Sequence, residues 1–103
     1  MNLLPFAPRA LRELQAATEW ISRQNPTAAQ ALVTEVVQAA ERLVRQPKIG
    51  RHRPDLLPEP YRFWSLRGFP YLLVYDSAAH PPRILRVLHM ARDLGTVLND
   101  IDP

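Results

Sequence analysis

The stretch that decides the fold runs from Arg83 to Leu94, RILRVLHMARDL. Its first seven residues form an aliphatic run of strand length and composition. Arg86 sits in the middle of the run and His89 closes it. The chain then turns through Ala91-Arg92-Asp93 toward a short last helix ending near Asn99. Asp93 is placed to cap that helix and to complement its dipole. Arginine is almost never buried without a partner. Arg86 and His89 therefore either face something acidic or pair inside the fold. Asp76 or Asp93 is the expected internal partner of Arg86, and Asp93 or backbone that of His89.

Two more strands lead into this one. Tyr61 to Leu66 is aromatic-rich, Arg67-Gly68 turns the chain, and Phe69 to Tyr75 is the most apolar run and the expected central strand. Pro70 stands at its start, where the ladder tolerates a missing N–H. Asp76 to Pro82 is a hairpin loop, and connections this short imply antiparallel pairing. Upstream, Ala10, Leu14, Ala17 and Ile21 recur at helical spacing, predicting a helix from Pro8 to about Arg23. Asn25-Pro26 caps and opens a second helix reaching Val44 or Arg45. Its buried stripe is Ala29, Leu32, Val36, Ala40 and Leu43, widened by Val33 and Val37. Asn2 to Phe6 is a short apolar start with a proline, which suits an edge strand. The order is β-α-α-β-β-β-α, an α+β fold. A helical hairpin packs on one face of a small antiparallel sheet, with the other face partly open.

A chain of 103 residues, 47% hydrophobic and 22% charged, is read as a single domain spanning 1–103. The absence of cysteine excludes disulfides, thiolate metal sites and thiol nucleophiles, and suits the cytoplasm. No signal peptide is expected, and no apolar run approaches the roughly 18 residues of a membrane span. Net charge is only +3, but it is lopsided. Between Arg42 and Arg92 ten Lys/Arg face three acids, while the tail from Asp93 is −3. Twelve of the thirteen basic residues are arginine, the side chain that forks onto phosphate and carboxylate. The loop Gln46 to Pro60 holds Lys48, Arg51, His52 and Arg53, the best candidates for touching an acidic macromolecule.

For RNA cleavage through a 2′-hydroxyl, His52 and His89 would be acid and base and Arg62 and Arg86 the phosphate clamp. Strand alternation opposes this, because Arg86 and His89 should face apart. Arg62 has a structural reading too, stacked on Trp64 or Tyr71. Three isolated histidines, His52, His80 and His89, lack metal-ligand spacing, and the three glycines form no phosphate-binding loop. No metal and no cofactor is expected.

The chain resembles the RelE/ParE superfamily of toxins from bacterial type II toxin–antitoxin systems, closest to the ParE-type branch. The resemblance rests on Phe6-Ala7-Pro8-Arg9-Ala10 with Glu13-Leu14, and on Asn25-Pro26-Thr27-Ala28-Ala29. Leu43 with Pro47 and Gly50, Arg62, Phe69-Pro70-Tyr71 closing on Tyr75, and Arg86-Val87-Leu88-His89 with Arg92-Asp93 complete it. Ala7 departs from the pattern, since a Ser or Thr cap is usual there. The resemblance implies a cytoplasmic growth inhibitor, neutralised in a hetero-oligomer by a cognate ParD-like antitoxin. ParE-like members poison DNA gyrase without a nuclease centre, whereas RelE-like members are ribosome-dependent mRNA endonucleases. RelE-like nucleases tend to carry a tyrosine in the C-terminal turn and lysines in the loop before the sheet. This chain has Arg92 and Asp93 in that turn, and Lys48 is its only lysine. The reading is therefore a noncatalytic gyrase inhibitor. The mRNA endonuclease is the alternative, and an inactive antitoxin-binding module is the third reading. Target-binding candidates are Arg62, Arg86, His89, Arg92, Asp93, Lys48, Arg51 and Arg53. Antitoxin-binding candidates are Trp20, Phe63, Trp64, Arg67 and Tyr71.

Overall fold

The computed structural model describes residues 6–93. Helix α1 (Pro8–Ser22) starts on proline, whose missing N–H is harmless in a first turn. Helix α2 (Pro26–Arg45) is capped by Asn25, whose Oδ1 accepts from the Ala28 N–H at 3.1 Å, and Arg42 and Arg45 complement the dipole of its last turn. Ala29, Leu32, Val36, Ala40 and Leu43 are all buried as the spacing predicts. Val33, expected to widen that stripe, is exposed instead, because it lies on the outer side of the hairpin. The last helix expected from Asp93 to Asn99 falls, beyond Asp93 itself, outside the described residues, as does the first strand before Phe6. Phe6 itself makes a parallel bridge to Ile84.

Strands β1 (Tyr61–Ser65), β2 (Tyr71–Asp76) and β3 (Arg83–His89) form an antiparallel meander with β2 in the centre. Phe63 pairs with Val74, and Leu72 with Leu88. Between them β2 and β3 slip by one residue: Val74 pairs with Arg86 but Tyr75 pairs with Ile84. Leu85 is thus the extra residue of a bulge in β3.

One face of the sheet carries Tyr71, Leu73, Tyr75, Ile84 and Val87 against the helices. The other face was expected to be partly open, and the structure corrects this. Leu56 and Leu57, turned inward where both their N–H groups bond the Arg53 carbonyl at 2.9 Å, cover Phe63, Leu72, Val74 and Leu88. A proline-rich loop thereby closes the second face with aliphatic side chains rather than with a regular element. Among the described residues, no helix is long and apolar enough to cross a membrane.

The other end of that loop is latched from inside. Tyr75 has no exposed surface; its hydroxyl donates to the Pro47 carbonyl at 2.6 Å and accepts from the Gly50 N–H at 2.9 Å. A Cβ built on Gly50 overlaps that hydroxyl and its ring edge. The Leu43, Pro47, Gly50 spacing is therefore a packing requirement: the backbone must come close enough to be read by a buried phenol. Gly50→Ala is expected to cost about 2 kcal/mol or more, and Tyr75→Phe about 1–3 kcal/mol, as read by urea unfolding. Burial pushes the Tyr75 phenol above its usual pKa. A raised folded value supplies stability below the unfolded tyrosine range and loses it as pH climbs through the folded value. Tyr75→Phe should accordingly flatten the loss of stability above about pH 10.

Candidate functional site

Arg86 is 4% exposed, and its expected partner was Asp76 or Asp93. The structure corrects this: the partner is Glu13, 73 residues away on α1. Glu13 Oε2 accepts from Arg86 Nε at 2.8 Å and lies 2.7 Å from its Nη2. Glu13 Oε1 accepts the backbone N–H of Val87 at 2.8 Å, and Arg9 approaches the same carboxylate at 3.8 Å. Val87 lies on the outer edge of β3, where its N–H would otherwise point at no strand. One carboxylate thus blunts a sheet edge and neutralises a buried guanidinium. Sequence reasoning missed Glu13 as a site residue. The available signal was its place in the apolar stripe, three residues after Ala10 and four before Ala17.

The C-terminal turn repeats the device. Asp93 Oδ2 accepts from the His89 N–H at 3.0 Å, and Asp93 N–H donates to the His89 carbonyl at 2.8 Å. His89 Nδ1 accepts from the backbone N–H groups of Ala91 and Arg92, both at 3.2 Å, which places the proton of the neutral ring on Nε2. The ring stands edge-on to Tyr71 at 5.2 Å and 87°. His89 therefore builds the turn. Arg92 forks onto Asp93 at 3.0 and 3.2 Å, and this holds the Asp93 carboxyl below the usual carboxylate range. Beside the turn, Trp20, Tyr71, Val87, Arg92 and Asp93 line a groove of about 250 Å³ along α1.

Arg62 does not stack on Trp64 or Tyr71. Arg42 covers the Trp64 ring at 6.0 Å. Arg62 instead donates to the carbonyls of Lys48 (3.2 Å) and Gly50 (3.0 Å) and pairs with Glu59 at 2.7 Å. Its Nε is buried with no partner. His52 Nδ1 lies 3.5 Å from the same Glu59 carboxylate, and Arg53 forks onto Asp55 at 3.0 and 2.7 Å. Arg51 pairs its backbone with Phe63 at 2.7 and 2.9 Å, adding one bridge to the free edge of β1. Lys48 and Arg51 are the exposed cations of this loop.

The nuclease set does not converge. Arg62 pairs with Tyr75, whereas His89 pairs with Tyr71, four positions and about 13 Å along β2. Arg62 and His89 also lie on opposite outer strands, a further 10 Å or so apart. His52 sits with Arg62 at the loop edge, and Arg86 is committed to Glu13. Of the antitoxin-binding candidates, Trp20 (61% exposed) and Arg67 are at the surface and Trp64 is half-buried. Phe63 and Tyr71 are buried, Phe63 under Leu57 and Tyr71 in the helix-side core. Among the described residues, no group of three metal-ligating side chains is present.

A two-helix hairpin over a three-stranded meander, closed by a carboxylate-capped turn, is the architecture of a small α+β toxin. The family described as "ParE toxin of type II toxin-antitoxin system, parDE" matches residues 4–94, and the chain belongs to it. Toxin RelE3 of Caulobacter vibrioides is 27% identical over 89 residues, 86% of this chain and 95% of its own. The fold is shared with a structure of the chromosomal ParDE toxin–antitoxin system of P. aeruginosa, with a TM-score of 0.70 and 21% identity over 86% of this chain and 96% of that one.

Two predictions follow from the carboxylates. Glu13→Ala leaves Arg86 and the Val87 N–H buried without their partner and should cost about 3–5 kcal/mol; thermal unfolding of Glu13→Ala beside the paired replacement Glu13→Leu/Arg86→Met reads it. The paired variant should recover most of the loss, because the buried guanidinium is removed together with its carboxylate. Asp93 has a depressed folded pKa, so its stabilisation is present above the unfolded carboxylate range and lost as pH falls through the folded value. Unfolding of Asp93→Asn should show a shallower acid limb below about pH 4 than that of the unaltered chain.

Proposed function

We propose that this toxin inhibits bacterial growth by binding DNA gyrase in the cytoplasm, without catalysing a reaction, and that a ParD-like antitoxin neutralises it. The observation that carries this reading is the commitment of the candidate nuclease groups to the fold. Arg86 neutralises Glu13, His89 Nδ1 holds two backbone donors, and Arg62 ties down the 48–50 backbone. Groups held this way are fixed parts of a surface rather than a base, an acid and a clamp around one phosphate. Gyrase and antitoxin then meet the exposed remainder: Lys48 and Arg51 on the loop, Arg92 on the turn, and the apolar side chains Leu11, Trp20 and Val33 on the hairpin.

For the antitoxin the hairpin is the favoured surface. The outer edges of β1 and β3 are engaged at Phe63, Ile84, Val87 and His89 by Arg51, Ala7, Glu13 and Asp93. Addition of a strand there competes with existing bonds, whereas an amphipathic helix has the exposed Trp20 and Val33 to cover. Such a segment would order on binding. The ribosome-dependent mRNA endonuclease is kept as a second reading by the name of the Caulobacter relative, Toxin RelE3.

Purified toxin is expected to inhibit gyrase supercoiling and to leave messenger RNA on programmed ribosomes intact. Ribosome-dependent cuts that disappear in His89→Ala or Arg62→Ala would overturn the gyrase assignment, and silence in both assays would favour an inert antitoxin-binding module. Trp20→Ala should weaken antitoxin capture about tenfold or more in a titration calorimeter. A complex that survives deletion of the antitoxin's C-terminal half would sink the helix-on-hairpin arrangement.

A further inference from the structure

Four arginines converge on a pocket of about 400 Å³ where α1 begins beside β3: Arg9 and Arg12 from the helix, Arg83 and Arg86 from the strand, with Ala7 and Leu85 among the apolar remainder of the wall. Among the described residues, no acidic side chain lines it. The Glu13 carboxylate beside it is engaged with Arg86, Val87 and Arg9. Among the described residues, the Arg12 and Arg83 side chains make no hydrogen bond and no ion pair, so two guanidinium forks are available. A second observation points the same way. Ala7 offers the first turn of α1 no side-chain acceptor, and no acid stands in that turn to complement the helix's positive end. Ala7 therefore leaves open, at the pocket, the position a Ser or Thr hydroxyl would fill.

We propose that this pocket binds a phosphate group, held by the forks of Arg12 and Arg83 with the first turn of α1 behind them. Arg12 and Arg83 bring two unengaged guanidinium forks to one concavity. Such forks suit the charged non-bridging oxygens of a phosphate, and a helix N-terminus is a recurrent partner of that group. The volume admits a diphosphate or a mononucleotide. The phosphate belongs either to a free nucleotide or to a polynucleotide strand, and the experiment separates the two. The pocket stands on its own observations and does not depend on gyrase being the target.

The test is calorimetry of the full chain with inorganic pyrophosphate, ATP and a short DNA duplex. Pyrophosphate is expected to bind, with Arg12→Ala and Arg83→Ala each weakening it about tenfold, while Arg51→Ala on the basic loop leaves it unchanged. Arg12→Lys and Arg83→Lys keep the charge but lose the fork and should fall between. Neither side chain has a partner in the fold, so thermal unfolding of these variants should match that of the unaltered chain. ATP binding in line with pyrophosphate supports the pocket and assigns a free nucleotide. Duplex binding that pyrophosphate displaces and the double alanine variant loses supports it and assigns a polynucleotide. Three results overturn it: no pyrophosphate binding, equal binding by the double alanine variant, or displacement of pyrophosphate by a glutamate-rich peptide at equal concentration.

Discussion

The Glu13 carboxylate at the outer edge of β3 is the constraint on which the rest of this small fold depends. A three-stranded sheet has two edges and little apolar area to spare. Its last strand carries a buried arginine next to the bulge at Leu85. Burying that guanidinium alone would be prohibitive, and leaving the Val87 N–H unpaired would add to the cost. Glu13 answers both from α1 and in doing so sets how the first helix lies along the last strand. Buried ion pairs of this kind add little net stability over an apolar substitute, but losing one partner is severe. Their contribution is to make one docking of helix on strand much better than its neighbours.

The opposite edge of the sheet is organised by side chains that bond to loop backbone. The Tyr75 hydroxyl reads the Pro47 carbonyl and the Gly50 N–H from within the core, and Arg62 reads the Lys48 and Gly50 carbonyls from the sheet edge. A loop crowded with proline has few N–H groups to bond within itself, so side chains supply several of its backbone partners. Once held, it turns Leu56 and Leu57 over the second face and leaves Lys48 and Arg51 outward. Packing on both faces of the sheet and presentation of exposed charge are consequences of the same few bonds.

Function in this frame is a matter of which cations remain unspent. Arg86, Arg62 and Arg53 are committed to Glu13, Glu59 and Asp55. Arg12 and Arg83 are not, and they stand together. A surface with this distribution offers charges that the fold does not use, while its committed arginines hold the backbone.

The linear sequence determined the helices, the three strands and their antiparallel order. Asn25-Pro26, the helical spacing of Leu32, Val36 and Leu43, and the aliphatic run of β3 are local signals, each readable within a few residues. Register, bulge and charge pairing were not legible in the same way. The partner of Arg86 lies 73 residues away, and Asp76 and Asp93 were equally plausible on spacing alone. The cover over the second face comes from two leucines inside a loop that periodicity reads as irregular. The clustering of Arg9 and Arg12 with Arg83 exists only once α1 docks on β3. Local propensity and periodicity act over a turn of helix or a stretch of strand. Pairing of buried charges is decided by which surfaces meet, and only the tertiary packing brings those surfaces together.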